Sequence, residues 1–293
     1  MASQGNTIKV DGHEIKVTNL DKILYPETGT TKGEVLSYYA AIAAPFVTHA
    51  RQRIATRTRW PDGVTAQPFF EKNLPPHAPA WIPKAKLRHG DRDVTYPLIN
   101  NTATLLWLVQ GAALEMHVPQ WIYSARAKES PRPDRLVLDL DPGPPAGLDE
   151  CSEVALAARE LVHADGLELF PVTSGSKGMQ LYAHVGDRPD LGDTSDYAKT
   201  LAQRLAEALP KLVISHMTRA DRPNKIFVDW SQNSLSKTTI APYSMRGREH
   251  PTVAAPRAWA EVEAGGLKHL LFGEVLSRYE DSGDLLTLPE PAE

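Results

Sequence analysis

The chain has 293 residues, of which 42% are apolar, 23% charged and 7% aromatic; this is globular composition and excludes disordered, collagen-like and coiled-coil classes. A single cysteine, Cys151, excludes an internal disulfide and a cysteine-rich zinc site and points to a reducing cytoplasm. The net charge of -4 leaves no general basic footprint for nucleic acid, so any phosphate contact has to come from a local patch.

Ile8, Val10, Ile15 and Val17 flank Asp11-Gly12, a pairing that predicts a hairpin with positive φ at its turn. Thr31 and Glu34 form a capping-box pattern, and Leu36, Tyr39, Ala40, Ile42 and Ala43 carry a helical period that Pro45 should bend or end. The segment 53–60 reads as a strand; Arg51, Arg53, Arg57 and Arg59 then line one side, as a solvated face or a phosphate-binding one. Helices are expected over 102–114, 148–163 and 195–209, and strands over 135–140, 168–173, 181–185, 212–217, 225–230 and 238–243. The mixture is α+β, without internal repeats, and is taken as one domain over 1–293 whose residues 289–293 read as a tail or the start of a linker. No leader-like apolar region opens the chain, and no apolar stretch approaches the ~20 residues of a membrane span, so no membrane partner is expected.

Asp139 and Asp141 alternate at the end of an apolar run that stops at Pro142-Gly143. On a strand they share a face with Cα atoms roughly 6–7 Å apart, close enough to hold the same hard cations, magnesium or manganese. A solvated strand end would show the same pair. Asp229 ends a second buried-looking run, where an unpaired charge is costly; it is either a third metal ligand or a capping or salt-bridged aspartate. Between them, Thr173-Ser174-Gly175-Ser176-Lys177-Gly178 combines glycines, hydroxyls and a lysine in a way that suits a triphosphate, although an ordinary hairpin turn has the same composition. It lacks the Walker A order. Lys237, Arg246 and Arg248 add cations around a later strand, while His117 and Cys151, taken alone, read as packing residues.

In chain order, Asp139-Leu140-Asp141-Pro142-Gly143, the Ser174–Gly178 turn, Phe227-Val228-Asp229-Trp230-Ser231-Gln232-Asn233 and Lys237-Thr238-Thr239-Ile240-Ala241-Pro242-Tyr243-Ser244 resemble the polymerase domain of bacterial non-homologous end-joining ligase D, in the archaeo-eukaryotic primase superfamily. The similarity runs from Leu20 to the last helices. It implies a primase-polymerase fold, with an RRM-like antiparallel catalytic sheet, a second smaller sheet and flanking helices. It also implies template-dependent nucleotide addition, ribonucleotides preferred, at gaps and broken DNA ends. By this resemblance Asp139 and Asp141 hold two Mn2+ or Mg2+ ions, and Asp229 holds the catalytic one and helps deprotonate the primer 3′-hydroxyl. His117, Ser174, Lys177, Gln180, Lys237, Arg246 and Arg248 surround the incoming NTP or dNTP.

By the same resemblance Asn19, Lys22 and Lys32 match the pocket for a downstream 5′-phosphate and Phe69 and Phe70 the aromatics that pack on the template; Arg53, Arg57 and Arg59 are assigned to DNA beside them. Catalytic motifs thus fall in 110–250 and DNA-end recognition in 19–72. A DNA ligase and Ku are implied as partners, and a cytoplasmic, nucleoid-associated location. Gln180 departs from the family pattern, which has histidine there; an amide never carries positive charge, so weaker nucleotide binding is expected. Two competing readings are a DNA-end-binding module that no longer synthesises and a metal-dependent glycosyltransferase, which also uses an Asp-x-Asp pair.

Overall fold

Leu136, Leu138 and Leu140 point one way from the strand Arg135–Pro142 and Val137, Asp139 and Asp141 the other, because strand side chains alternate. That strand lies inside a six-stranded sheet ordered Val213–Ile214, Ile226–Asp229, Arg135–Pro142, Met179–His184, Phe170–Thr173 and Ala255–Pro256, antiparallel except for the parallel first pair. The computed structural model describes residues 6–89, 92–126, 130–186 and 188–289. The leucine face is covered by the helices Leu148–Ala164 and Thr194–Ala208, whose Val154, Ala158, Leu201 and Leu205 complete one core. On the other face Val137, Val172 and Tyr182 pack with Ile240 of a second sheet.

This second sheet has four strands, ordered Thr239–Ile240, Ala113–Val118, Thr56–Arg59 and Phe69–Glu71, all antiparallel. The helices Lys32–Ala41, Ala43–Ala50 and Thr102–Gln110 pack with it into the larger core around Tyr39, Phe46, Leu105 and Met116. Polar contacts brace this face and join it to the smaller sheet. Asn233 brackets the Val137 backbone through both its amide atoms, and the Tyr182 hydroxyl reaches Gln180, Thr239 and the Ile240 carbonyl. The catalytic-motif face of the large sheet is therefore the inner face, looking toward the smaller one.

The hairpin forms as expected, with Asp11 and Gly12 at φ 50° and 79°, and the Thr31–Glu34 capping box is made in both directions. Helix Lys32–Ala41 ends before Pro45, which sits in the first turn of the next helix, where its missing N–H costs nothing. The expected helix over 102–114 stops at Gln110. Gly111 and a left-handed Ala112 (φ 60°) turn the chain so that Leu114 enters a strand instead. The expected strands over 212–217 and 238–243 shrink to Val213–Ile214 and Thr239–Ile240, since each is short on partners at its sheet's edge. The arginine row also changes. The strand covers only Thr56–Arg59, and Arg53, before it, is fully buried with its guanidinium forked onto Asp134 at 2.8 and 2.5 Å. Residues 290–293 of the expected tail lie outside the described residues.

Candidate active site

Register assembles the acids. Asp139 and Asp229 are directly opposed across the antiparallel pair, and Asp141 lies two residues along on the same face. One oxygen from each of the three lies within 4.8 Å of the others. Asp229 is oriented by Ser231, whose N–H and hydroxyl donate to Oδ1 at 3.1 and 2.6 Å, and by the Gln232 amide, which donates to Oδ2 at 2.9 Å. Burial, then the charges of Asp141 and Asp229, push Asp139 up to about 8. Asp141 is also raised, by burial and by Asp229, against the opposing pull of Arg222 and Lys177. Three mutually repelling carboxylates that make no ion pair among the described residues are a hard-oxygen donor set lacking positive charge, which fits divalent cations of the magnesium or manganese class.

Beside the triad, the Ser174–Gly178 turn is tied by its own serine. Ser174 Oγ accepts the N–H groups of Ser176, Lys177 and Gly178 at 3.3, 3.3 and 3.2 Å, so these amides are committed to the turn. A Cβ on Gly178 would fall on the Leu140 carbonyl oxygen, and one on Gly175 (φ +68°) would lie 2.6 Å from the Val253 backbone. These glycines let the turn sit against the Asp139 strand and carry Lys177, exposed, into the field of Asp141. Lys237 and Arg248 are exposed, and Arg246 is half-buried within electrostatic reach of Asp139.

Gln180, expected to contact the nucleotide, lies beside the triad. It is buried opposite Asp139 in the register, its oxygen accepts from the Tyr182 hydroxyl at 2.9 Å, and its amide leans on the Asp139 carboxylate and lowers its pKa.

Two side chains were missed in the sequence. Glu115 binds His117 at 3.1 Å and lies 3.2 Å from Arg246; its only sequence signal is its position two before His117 on one strand face. Arg222 stacks its guanidinium 4.0 Å from the Phe227 ring centre and acts on Asp141, from a loop that carried no signal at all.

The expected DNA-end residues gather elsewhere. Lys22, paired with Asp62 at 2.8 Å, and Asn19 border a surface depression of about 740 Å³. Lys32 donates to the Thr18 carbonyl at 2.8 Å and is lowered to about 8 by burial, then by Lys22 and Arg59. Phe69 and Phe70 stand 54% and 60% exposed on the edge strand, which no packing argument explains. Arg57 and Arg59 both bind Glu71, at 2.6 and 2.7 Å, so of the four arginines these two share a face but are spoken for.

A family model described as "LigD, primase-polymerase domain" matches residues 31–286. The chain belongs to the LigD primase-polymerase domain family. It is 50% identical over 276 residues to the multifunctional non-homologous end joining DNA repair protein LigD of Mycobacterium tuberculosis, covering 93% of this chain and 36% of that protein. It is 31% identical over 252 residues to the bifunctional non-homologous end joining protein LigD of Bacillus subtilis, covering 86% and 40%. The chain therefore spans little more than a third of these relatives. A solved structure of the polymerase domain of M. tuberculosis ligase D in complex with DNA superposes with a TM-score of 0.88 at 50% identity, covering 93% of this chain and 96% of that one.

Proposed function

We propose that this LigD primase-polymerase domain extends a primer strand from an NTP or dNTP, ribonucleotides preferred, at gaps and broken DNA ends during non-homologous end joining. The observation that carries the reading is the Asp139–Asp141–Asp229 cluster facing a rim of cations. Asp139 and Asp141 would hold two Mn2+ or Mg2+ ions and Asp229 one of them. Such ions, when bound, acidify the 3′-hydroxyl and neutralise the charge that builds on the departing pyrophosphate.

The chain's own residues do the rest. Lys177, Lys237, Arg246 and Arg248, with His117 and the Ser174 hydroxyl, take up the triphosphate charge and hold it in line with the primer end. Asp229, fixed by Ser231 and Gln232, is placed to accept the 3′-hydroxyl proton. Phe69 and Phe70 offer flat faces to template bases, and Lys22 and Lys32 bind the downstream 5′-phosphate. A groove of about 710 Å³ runs from Phe70 and Lys72 past Trp121 and Tyr123 to Lys237; among the described residues no acidic side chain lines it, which supports passage of a single strand. In the end-joining setting of the relatives' names, Ku and a DNA ligase are the partners this reading calls for. The intact triad favours synthesis over an end-binding module without activity, and the lysine pair has no use in a glycosyltransferase.

The test is Asp139→Ala on gapped, 5′-phosphorylated DNA with Mn2+ and Mg2+. Primer extension should fall by at least about a hundredfold, as for loss of a group that stabilises transition-state charge, while DNA binding stays near the parent's. Undiminished extension would overturn the assignment.

A further inference from the structure

Glu115 is an acid in a place built for anions. It is 8% exposed on the strand Ala113–Val118, on the same face as His117. Its Oε1 accepts the Gly247 N–H at 3.0 Å and lies 3.2 Å from Arg246 Nε; its Oε2 lies 3.1 Å from His117 Nε2. A buried carboxylate is costly, and this one would also repel a bound triphosphate, so its presence needs a compensating role. Burial works to raise its pKa, but the His117 hydrogen bond, Arg246 and the Gly247 N–H together hold it below the usual carboxylate range.

Arg246 is the residue with a choice. Of the acids acting on it, Glu115 acts most strongly and Asp139 next. Its Nε lies 3.2 Å from Glu115 Oε1 as an ion pair without a hydrogen bond, and its terminal nitrogens make no protein hydrogen bond among the described residues. A guanidinium free to turn would fork onto a carboxylate of the triad, since bidentate pairing is its strongest interaction, and would there compete with a divalent cation.

We propose that Glu115 is a positioning residue that holds Arg246, together with His117, on the phosphate rim and keeps its guanidinium off the Asp139–Asp141–Asp229 triad. This deepens the polymerase reading and rests on it. Charge pairing with Glu115 on the Nε side of Arg246 leaves the two terminal nitrogens for phosphate oxygens. The negative charge of Glu115 is the cost of keeping a cation beside three carboxylates without letting it close on them.

The experiment is calorimetric titration with Mn2+ alone, without nucleotide or DNA, of the parent, Glu115→Gln, Arg246→Gln and the double variant, each checked for folding by its melting curve. Neighbouring charged side chains typically couple strongly enough for Glu115→Gln to weaken Mn2+ binding on the order of tenfold, with the double variant returning to within about threefold of the parent. Parent-like Mn2+ affinity in Glu115→Gln, or a double variant as weak as that single one, would overturn the proposal. Should Glu115→Gln not fold, the comparison of Arg246→Gln with the double variant decides. With the arginine gone, Glu115 no longer matters, so equal Mn2+ affinities support the proposal and a large difference overturns it. A parent that binds no Mn2+ would remove the metal reading beneath it, and is distinguishable because no variant enters that result.

Discussion

Lys32 opens a helix and donates to a backbone carbonyl, yet burial and two neighbouring cations bring it down to about 8, from 10.5. A depressed lysine is charged below that value and loses its charge as pH rises through it, whereas a 5′-phosphate is already dianionic from pH 7 upward. The preference of gapped DNA for a 5′-phosphate over a 5′-hydroxyl should therefore shrink between pH 7 and 9.5. Fluorescence anisotropy across that range checks it, and Lys32→Arg, which cannot deprotonate, should flatten the dependence.

Asp139 is shifted the other way. Raised to about 8 from 3.8, it keeps in the folded state a proton that the unfolded chain releases near pH 4, so stability from this group is present at low pH and declines toward pH 8. Asp139→Asn should thus melt at a higher temperature than the parent in metal-free buffer, by a margin that widens from pH 5 to pH 8, while losing extension.

At the scale of elements, a strand pair and a turn make the site. The register that sets Asp139 against Asp229 joins two strands far apart in the chain, and the approach of the Ser174–Gly178 turn depends on Gly178 having no side chain. Gly178→Ala would drive a methyl into the Leu140 backbone and should cost about 1–3 kcal/mol, read from thermal or urea unfolding. The edge strand Phe69–Glu71 belongs to a different class of feature, since its two aromatics bury little here. Phe70→Ala should leave stability unchanged and weaken binding of gapped DNA by about 1–3 kcal/mol, the usual worth of a base stacked on an aromatic ring. An unaltered Kd would refute the platform.

On the scale of the whole molecule, a net charge of -4 coexists with local clusters of cations at both candidate DNA and nucleotide surfaces. Binding should therefore weaken with salt even though the chain is acidic overall, with a slope set by the few phosphates contacted. Divalent cations should raise the melting temperature by mass action, about 2.7 kcal/mol at a hundredfold excess over Kd, and Asp139→Ala should abolish that gain.

The motifs, their order, most helices and the central strands were legible from residues alone, because alternation, capping and turn chemistry act within a few positions of each other. The same local logic named Asp139, Asp141 and Asp229, since carboxylates at the ends of apolar strands are conspicuous. Which arginines were free was not local information. Arg53 meets Asp134 across 81 positions, Glu115 meets Arg246 across more than a hundred, and Gln180 faces Asp139 because two strands pair in one register. Long-range pairing of charges is a property of packed surfaces, and a sequence pattern carries no record of which distant partner a side chain will find.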